Sequence, residues 1–261
     1  MSDRLRREPP RFRRAEVRRT EAITPHLARV VIGGSDLDGL EPGLPAASVR
    51  LLLSPPGAAE LVLPTWNGNE FLLADGSRPT IRTLTPRRFD PDGLELRLEV
   101  VLHDGGPLSE WATAATAGDQ VAVSGTGRGY TIDPGASAFV LAGDESAIPA
   151  ISQLLEALPG PARIEVLIEV AHPDARLDLP SHPGASVRWV DLRSGASPGD
   201  ALVDAVVGSA IDPSARVWVA GEAAAVQRIR KHLFEERGVA RGAAVVRGYW
   251  KRGRRAAPDD G

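Results

Sequence analysis

The chain of 261 residues contains no cysteine. That single absence excludes disulfides, thiolate zinc sites, Cys-ligated iron–sulfur clusters and thiol catalysis. Redox chemistry, if present, then needs a bound organic cofactor or a metal held by nitrogen and oxygen. Lysine is nearly absent as well; only Lys231 and Lys251 occur, and the remaining basic residues are arginine. No apolar run approaches the roughly 20 residues that span a bilayer. The net charge of −3 gives no electrostatic reason to expect nucleic acid or an anionic membrane as partner. The Arg-rich start, Arg4 to Arg19, carries acids and lacks the apolar core of a signal peptide, so a cytoplasmic protein is expected. Hydrophobic content of 43% is ordinary for a folded globular chain, and the length allows one large or two modest domains.

What is present divides near residue 134. Residues 1–10 are charged and end in Pro9-Pro10, a composition that predicts disorder. From Phe12 the chain reads as short strands separated by turn signals: Ala15–Ile23, Leu27–Gly33, Ala47–Ser54, Glu60–Leu63, Thr80–Thr85, Gly93–Leu102 and Gln120–Ser124. Turns are marked by Pro25, Gly33-Gly34, Pro55-Pro56-Gly57 and Asp92-Gly93. Such spacing predicts a closed or nearly closed β-barrel. One helix interrupts it, Pro107 to Ala115, with Leu108, Trp111 and Ala112 on one face and Trp111 read as core.

After Asp133-Pro134-Gly135 strands alternate with helices. Phe139–Ala142 is a short apolar strand, Gly143-Asp144-Glu145-Ser146 a turn, and Ile148, Ile151, Leu154, Leu155 and Leu158 recur at helical steps until Pro159-Gly160. Strands Arg163–Val170, Val187–Leu192, Arg216–Ala220 and Ala243–Gly248 follow, with helices Asp200–Val207 and Glu222–Glu236 among them. The alternation predicts a parallel sheet covered on both faces. A polar tail is expected from Arg254.

Three stretches can carry chemistry. The strand–turn–helix at Phe139–Leu158 exposes amides that suit an anion such as a dinucleotide pyrophosphate. Arg82-Thr83-Leu84-Thr85 places a guanidinium on a strand, with Arg82 and Leu84 on one face and Thr83 and Thr85 on the other. Gly105-Gly106-Pro107 opens a helix and Ser109 adds a hydroxyl, a second phosphate cradle; the neighbouring His103 reads equally as a nucleotide contact or a hydrogen-bonded turn residue. Gly125, Gly127 and Gly129 imply tight turns or a ligand close by. The five histidines, His26, His103, His172, His182 and His232, show no metal-ligand spacing, so no protein metal site is expected.

Taken in order, Ile23-Thr24-Pro25, Arg82-x-x-Thr85, His103-x-x-Gly106-Pro107-x-x-x-Trp111-Ala112, Gly143-Asp144-Glu145-Ser146-Ala147-Ile148-Pro149-Ala150, Ala220-Gly221-Glu222 and Arg247-Gly248-Tyr249-Trp250-Lys251-x-Gly253 resemble the siderophore-interacting protein family, a branch of the ferredoxin-reductase-like flavoproteins. The resemblance implies an FAD-binding barrel over 12–132 and an α/β domain over 136–253 that receives NADH or NADPH. It implies that Arg82 holds an FAD phosphate and that Thr83, Leu84 and Thr85 line the flavin, Thr85 near the isoalloxazine. Gly106 and Ser109 would meet the pyrophosphate, and His103 the nucleotide end. Gly143, Asp144, Glu145 and Ala147 would form the nicotinamide-dinucleotide turn, with Gly221 and Glu222 on the same rim and Tyr249 and Trp250 near the flavin. The implied activity is reduction of the ferric iron of a siderophore. Arg50, Arg128 and Lys251 are candidates for a basic rim that captures an anionic ferric siderophore, and Arg176 or His172, flanked by Asp174 and Asp178, for a 2′-phosphate contact. A ferredoxin remains an alternative donor. Two departures stand out: Leu84 replaces the family tyrosine, and Thr126 replaces the proline common in related reductases. Other readings stay open, a flavin reductase serving another acceptor, and a carrier without efficient turnover, which Leu84 favours.

Overall fold

A computed structural model describes residues 11–54, 60–103 and 105–253. The stretches read as disordered at 1–10, as a turn at 55–57 and as a tail from 254 lie outside the described residues.

The first half is one antiparallel sheet of seven strands: β1 (Phe12–Thr24), β2 (Leu27–Gly33), β3 (Val49–Leu53), β6 (Thr80–Leu84), β7 (Arg88–Asp90), β8 (Glu95–Val101) and β9 (Gln120–Ser124), in the order β6-β3-β9-β1-β2-β8-β7. Its edges, β6 and β7, follow each other in sequence without pairing, so the sheet curls into a half-open barrel. Alternation fixes the two faces. Leu51, Leu53, Val121 and Val123 point into the barrel core with Val30, Ile32, Leu96 and Leu98, whereas Leu52 and Ala122 point outward to Phe12 and Leu61. Helix α1 (Pro107–Ala114) plugs the core with Leu108, Trp111 and Ala112, as the periodicity predicts.

Two details differ from expectation. No strand forms over residues 60–63; Leu61 is buried there as an isolated apolar anchor, and its carbonyl accepts from the Arg14 guanidinium. The pairing next to it is instead a hairpin of β4 (Thr65–Trp66) and β5 (Phe71–Leu72), whose turn is closed by the Asn67 carboxamide accepting from the Asn69 and Glu70 amides. Two-residue strands, and the three-residue β7, are too short to show a period of two in sequence.

The second half is a parallel sheet of β10 (Ala138–Asp144), β11 (Arg163–Val170), β12 (Ala185–Asp191), β13 (Arg216–Glu222) and β14 (Ala244–Trp250), ordered β12-β11-β10-β13-β14. Helix α2 (Ile148–Ala157) covers one face through Ile148, Ile151, Leu154 and Leu155, against Phe139, Leu141, Ile164 and Val166. Helices α3 (Asp200–Val207) and α4 (Ala223–Lys231) cover the other through Leu202, Val206, Ala225 and Ile229, against Val140, Ala142, Val217 and Val219. The helix expected over 222–236 begins one residue later, because Glu222 is its N-cap, and passes into a π turn at His232–Glu236. The chain leaves β10 toward β11 on one face and returns from β12 to β13 on the other. The carboxyl ends of β10 and β13 therefore bound a crevice, the place where open α/β sheets bind ligands.

Among the described residues no helix is long and apolar enough to cross a membrane.

Candidate functional site at the joint of barrel and parallel sheet

Strand β10 ends on Gly143 and Asp144. The strand runs two residues past its expected end at Ala142, and the reversal is the 3-10 turn Glu145–Ala147. A Cβ on Gly143 would collide with the Ala147 Cβ and stand 2.8 Å from the Ala220 carbonyl oxygen, so only glycine lets the turn fold back on β13. Asp144 is buried. Its Oδ1 accepts from the Ser146 amide at 3.0 Å and the Ser146 hydroxyl; its Oδ2 accepts from the Glu222 amide and the Trp250 indole N–H, both at 2.8 Å. One carboxylate thus ties together the ends of β10, β13 and β14. Burial pushes its pKa up, and the four hydrogen bonds oppose that shift. Gly221 adopts φ 156°, and a Cβ there would lie 2.6 Å from Asp144 Oδ2.

Glu222 is likewise spent on the protein. Its Oε2 accepts from the Ala224 and Ala225 amides, capping α4, and its Oε1 from the Arg252 amide. Glu145 turns aside, its Oε1 accepting from the Ala171 amide at 2.8 Å. The acids of the rim are therefore consumed by donors and do not present bare charge to an incoming anion.

Strand β14 brings Tyr249 and Trp250 to the joint. Tyr249 packs edge-on against the buried Trp218, ring centroids 6.2 Å apart, and its hydroxyl lies 3.4 Å from Thr85 Oγ1 at the end of β6. Burial raises the pKa of this phenol, so at neutral pH it keeps its proton and remains a donor. Trp250, 39% exposed, stands beside it. Thr85 and Tyr249 come from the two sheets, and their contact joins the barrel rim to the crevice.

On the barrel side Thr83 pairs with Arg50 and Arg82 with Leu51 in the β3–β6 ladder. Arg82 is half-buried, with one N–H donated to the Ile81 carbonyl; Thr83 is exposed; Leu84 packs against the barrel core. At the other lip, Gly106 caps α1 and Pro107 opens it. Ser109 is buried: its hydroxyl donates to the His103 carbonyl at 2.8 Å and accepts from the His103 amide at 3.0 Å. The sequence pattern assigns Ser109 to a phosphate, whereas here its hydroxyl shapes the loop that carries His103. Arg128 and Lys251 are exposed, and the Arg128 carbonyl accepts from the Arg247 guanidinium. Arg176 is paired with Asp191.

Several contributors escape sequence reading. Gln153 on α2 receives the Ala46 amide and donates to the Pro86 carbonyl, fastening α2 to the barrel where β3 begins and β6 ends. Arg247 donates to the Arg128 and Gly129 carbonyls. Glu169, buried at the end of β11, accepts from the Gly199 and Leu202 amides and so fixes the start of α3. No local signal separates it from Arg163 and Glu165, the other charged residues of the same strand. His26 also meets His172 and Asp174, about 146 residues further along the chain, which the scatter of the histidines does not suggest.

Burial raises the pKa of Glu169, as of Asp144 and Glu145. The native chain then keeps these protons to higher pH than the unfolded chain, whose glutamates titrate near 4.5. Their contribution to stability is complete below that value and declines as pH rises through the native pKa. The exposed acids with lowered pKa, Glu95, Asp75, Asp133, Asp200 and Asp212, act in the opposite sense, only below their ordinary values. The urea midpoint is expected to rise as pH falls from neutrality to about 5. Glu169→Gln is expected to flatten that slope; an unchanged slope would remove Glu169 from the account.

The donor set fits the ligands that this geometry suggests. A guanidinium and hydroxyls along β6, and separately the Gly106-Pro107 helix start, offer donors to a diphosphate. The glycine-lined crevice offers backbone close to a second nucleotide. Family models match both halves: the siderophore-interacting FAD-binding domain over residues 16–130 and the siderophore-interacting protein domain over 136–253. A siderophore utilization protein from T. fusca superposes with a TM-score of 0.82 at 36% identity, covering 95% of each chain. The chain belongs to the siderophore-interacting protein family. A Vibrio cholerae relative, the ferric vibriobactin reductase ViuB, is 30% identical over 97% of this chain and 94% of its own length. An Escherichia coli NADPH-dependent ferric-chelate reductase is 30% identical over 87% of this chain and 88% of its own. The ferredoxin reductase of carbazole 1,9a-dioxygenase, at 14% identity and a TM-score of 0.67, covering 93% of this chain and 70% of that one, shares the fold. The fold is ferredoxin-reductase-like, and the barrel half is an FAD-binding domain.

Proposed function

We propose that the protein is an FAD-dependent reductase that passes electrons from NADPH or NADH through FAD to the ferric iron of a siderophore and releases ferrous iron. The observation that carries this reading is the meeting of the two half-sites: Thr85 on the barrel rim and Tyr249 at the crevice stand 3.4 Å apart. A donor seated in the crevice and a flavin seated on the rim would therefore abut. Bound FAD would accept one hydride, that is one electron pair, and deliver its two electrons singly, which ferric iron requires. Ferrous iron binds the hard oxygen donors of a siderophore more weakly, and so leaves.

The residues divide the work between domains at 12–132 and 136–253. Arg82 holds a flavin phosphate, Thr83 and Leu84 line the flavin, and Thr85 donates near its reactive edge. Gly106 brings the start of α1 to the pyrophosphate, Ser109 holds that loop in shape, and His103 borders the nucleotide end. Gly143 and Ala147 let the nucleotide approach the sheet; Asp144, Glu145, Gly221 and Glu222 fix the backbone it meets. Tyr249 and Trp250 would stand beside the flavin, where an aromatic ring shields it until the nicotinamide arrives. Arg50, Arg128 and Lys251 attract the anionic ferric complex, ferric siderophores being often anionic. The names of the Vibrio cholerae and Escherichia coli relatives support the substrate class and the donor. The cytoplasm, which supplies the nicotinamide nucleotide, is the expected compartment.

Leu84, packed on the barrel core where the family has tyrosine, favours a second reading, a carrier with slow turnover. Anaerobic stopped-flow absorbance decides between them. With FAD bound, NADPH or NADH should bleach the flavin, and a ferric siderophore should restore its colour. Binding of FAD with no bleaching by either nucleotide would point to a carrier or to a ferredoxin donor.

A further inference from the structure

Where the β1–β2 turn of the barrel meets the β11–β12 connection, two imidazoles and a carboxylate converge. His26, His172 and Asp174 offer ligand atoms that all lie within 4.8 Å of one another. His26 Nε2 is 3.1 Å from Asp174 Oδ1. The two rings stack with centroids 4.3 Å apart and planes 12° from parallel. The backbone on both sides is fixed. The His26 amide donates to Thr24 Oγ1 and its carbonyl accepts from the Leu102 amide; the His172 carbonyl accepts from the Ala175 amide, and Ala175 is buried. The side chains themselves stay accessible, His26 partly and the other two openly.

We propose that this cluster is a binding site for one divalent first-row transition metal ion, held between the two halves of the molecule. Two neutral imidazoles with one carboxylate form a ligand set of intermediate softness, suited to Fe2+, Co2+ or Zn2+, and three protein ligands leave positions for water. A bound ion lies in the plane of each ring, so nearly parallel rings cannot both reach it as they stand. Binding therefore fans the stack open by side-chain rotation and replaces the contact of His26 with Asp174. His26 leaves the barrel sheet, and His172 and Asp174 leave the parallel sheet. The ion would thus fasten one half to the other. Resting on the function proposed above, the ferrous ion released at the adjoining rim is the member of this class formed there; His26 is bonded to Leu102, next to His103.

The test uses the chelator-treated full chain without flavin, nucleotide or siderophore, so it stands or falls apart from the reductase reading. Co2+ titrated into it should saturate at one equivalent, with visible absorbance, and Zn2+ should raise the melting temperature. His26→Gln, His172→Asn and the exposed Asp174→Asn should each weaken Co2+ at least tenfold while melting without metal as the parent does. No saturable binding, or variants that bind as the parent does, would overturn the site. Excess anaerobic Fe2+ should displace Co2+; failure to compete would overturn the ferrous assignment.

Discussion

Asp144→Ala is expected to lower stability by about 3–5 kcal/mol, measured by urea denaturation at neutral pH. The Glu222 amide, the Ser146 amide and hydroxyl, and the Trp250 indole all donate to this carboxylate. Each buried donor left without a partner costs about 1–3 kcal/mol, and the indole, being partly exposed, recovers part of its loss from water. Asparagine keeps one acceptor oxygen but turns an amide donor toward protein donors, so Asp144→Asn should fall between alanine and the parent. The near-ultraviolet circular dichroism of Trp250 should change in both. A loss below about 1 kcal/mol would mean that the strand ends hold their places without the tie.

The second large effect concerns the barrel rim. Arg82→Ala is expected to weaken FAD about 10- to 100-fold, the loss of charge-assisted hydrogen bonds worth about 1.5–3 kcal/mol. Arg82→Lys should recover part of it, since lysine supplies the charge without the planar fork. Flavin fluorescence titration gives the affinity, and the urea midpoint serves as control, because the side chain is only half-buried. Unchanged affinity would place the phosphate elsewhere on the rim.

The alternation of strand and helix after residue 135 was legible because the central strands β10 and β13 are nearly continuous apolar runs, buried on both faces, and each helix carries its apolar stripe. The barrel strands were legible where they reach five residues. What escaped has a physical cause. A two-residue strand has no period, so the hairpin at Thr65–Leu72 is invisible, and the apolar residues at 61 and 63 suggested a strand where a single anchor sits. At the site, glycine positions and the aromatic pair could be read locally, because a tight backbone leaves a local mark. The role of Asp144 as a tie between strands could not: Ser146 is near, but Glu222 and Trp250 lie 78 and 106 residues away, and nothing near Asp144 names them. Ser109 shows the competition within a loop. A hydroxyl beside a glycine pair reads as a ligand contact, but two backbone groups of the same loop are nearer claimants.

The same distances along the chain set an order in time. The crevice closes only when β13 has slipped in beside β10 and β14 beside β13, contacts between segments that leave a ribosome well apart. Long-range pairing is slow, and domains generally fold from the N-terminal side during synthesis. The barrel, whose last strand ends at Ser124, can thus form while the crevice is still half a sheet. A nascent chain would acquire its flavin seat first and its nucleotide seat last, and Trp250 is the residue whose arrival completes the second.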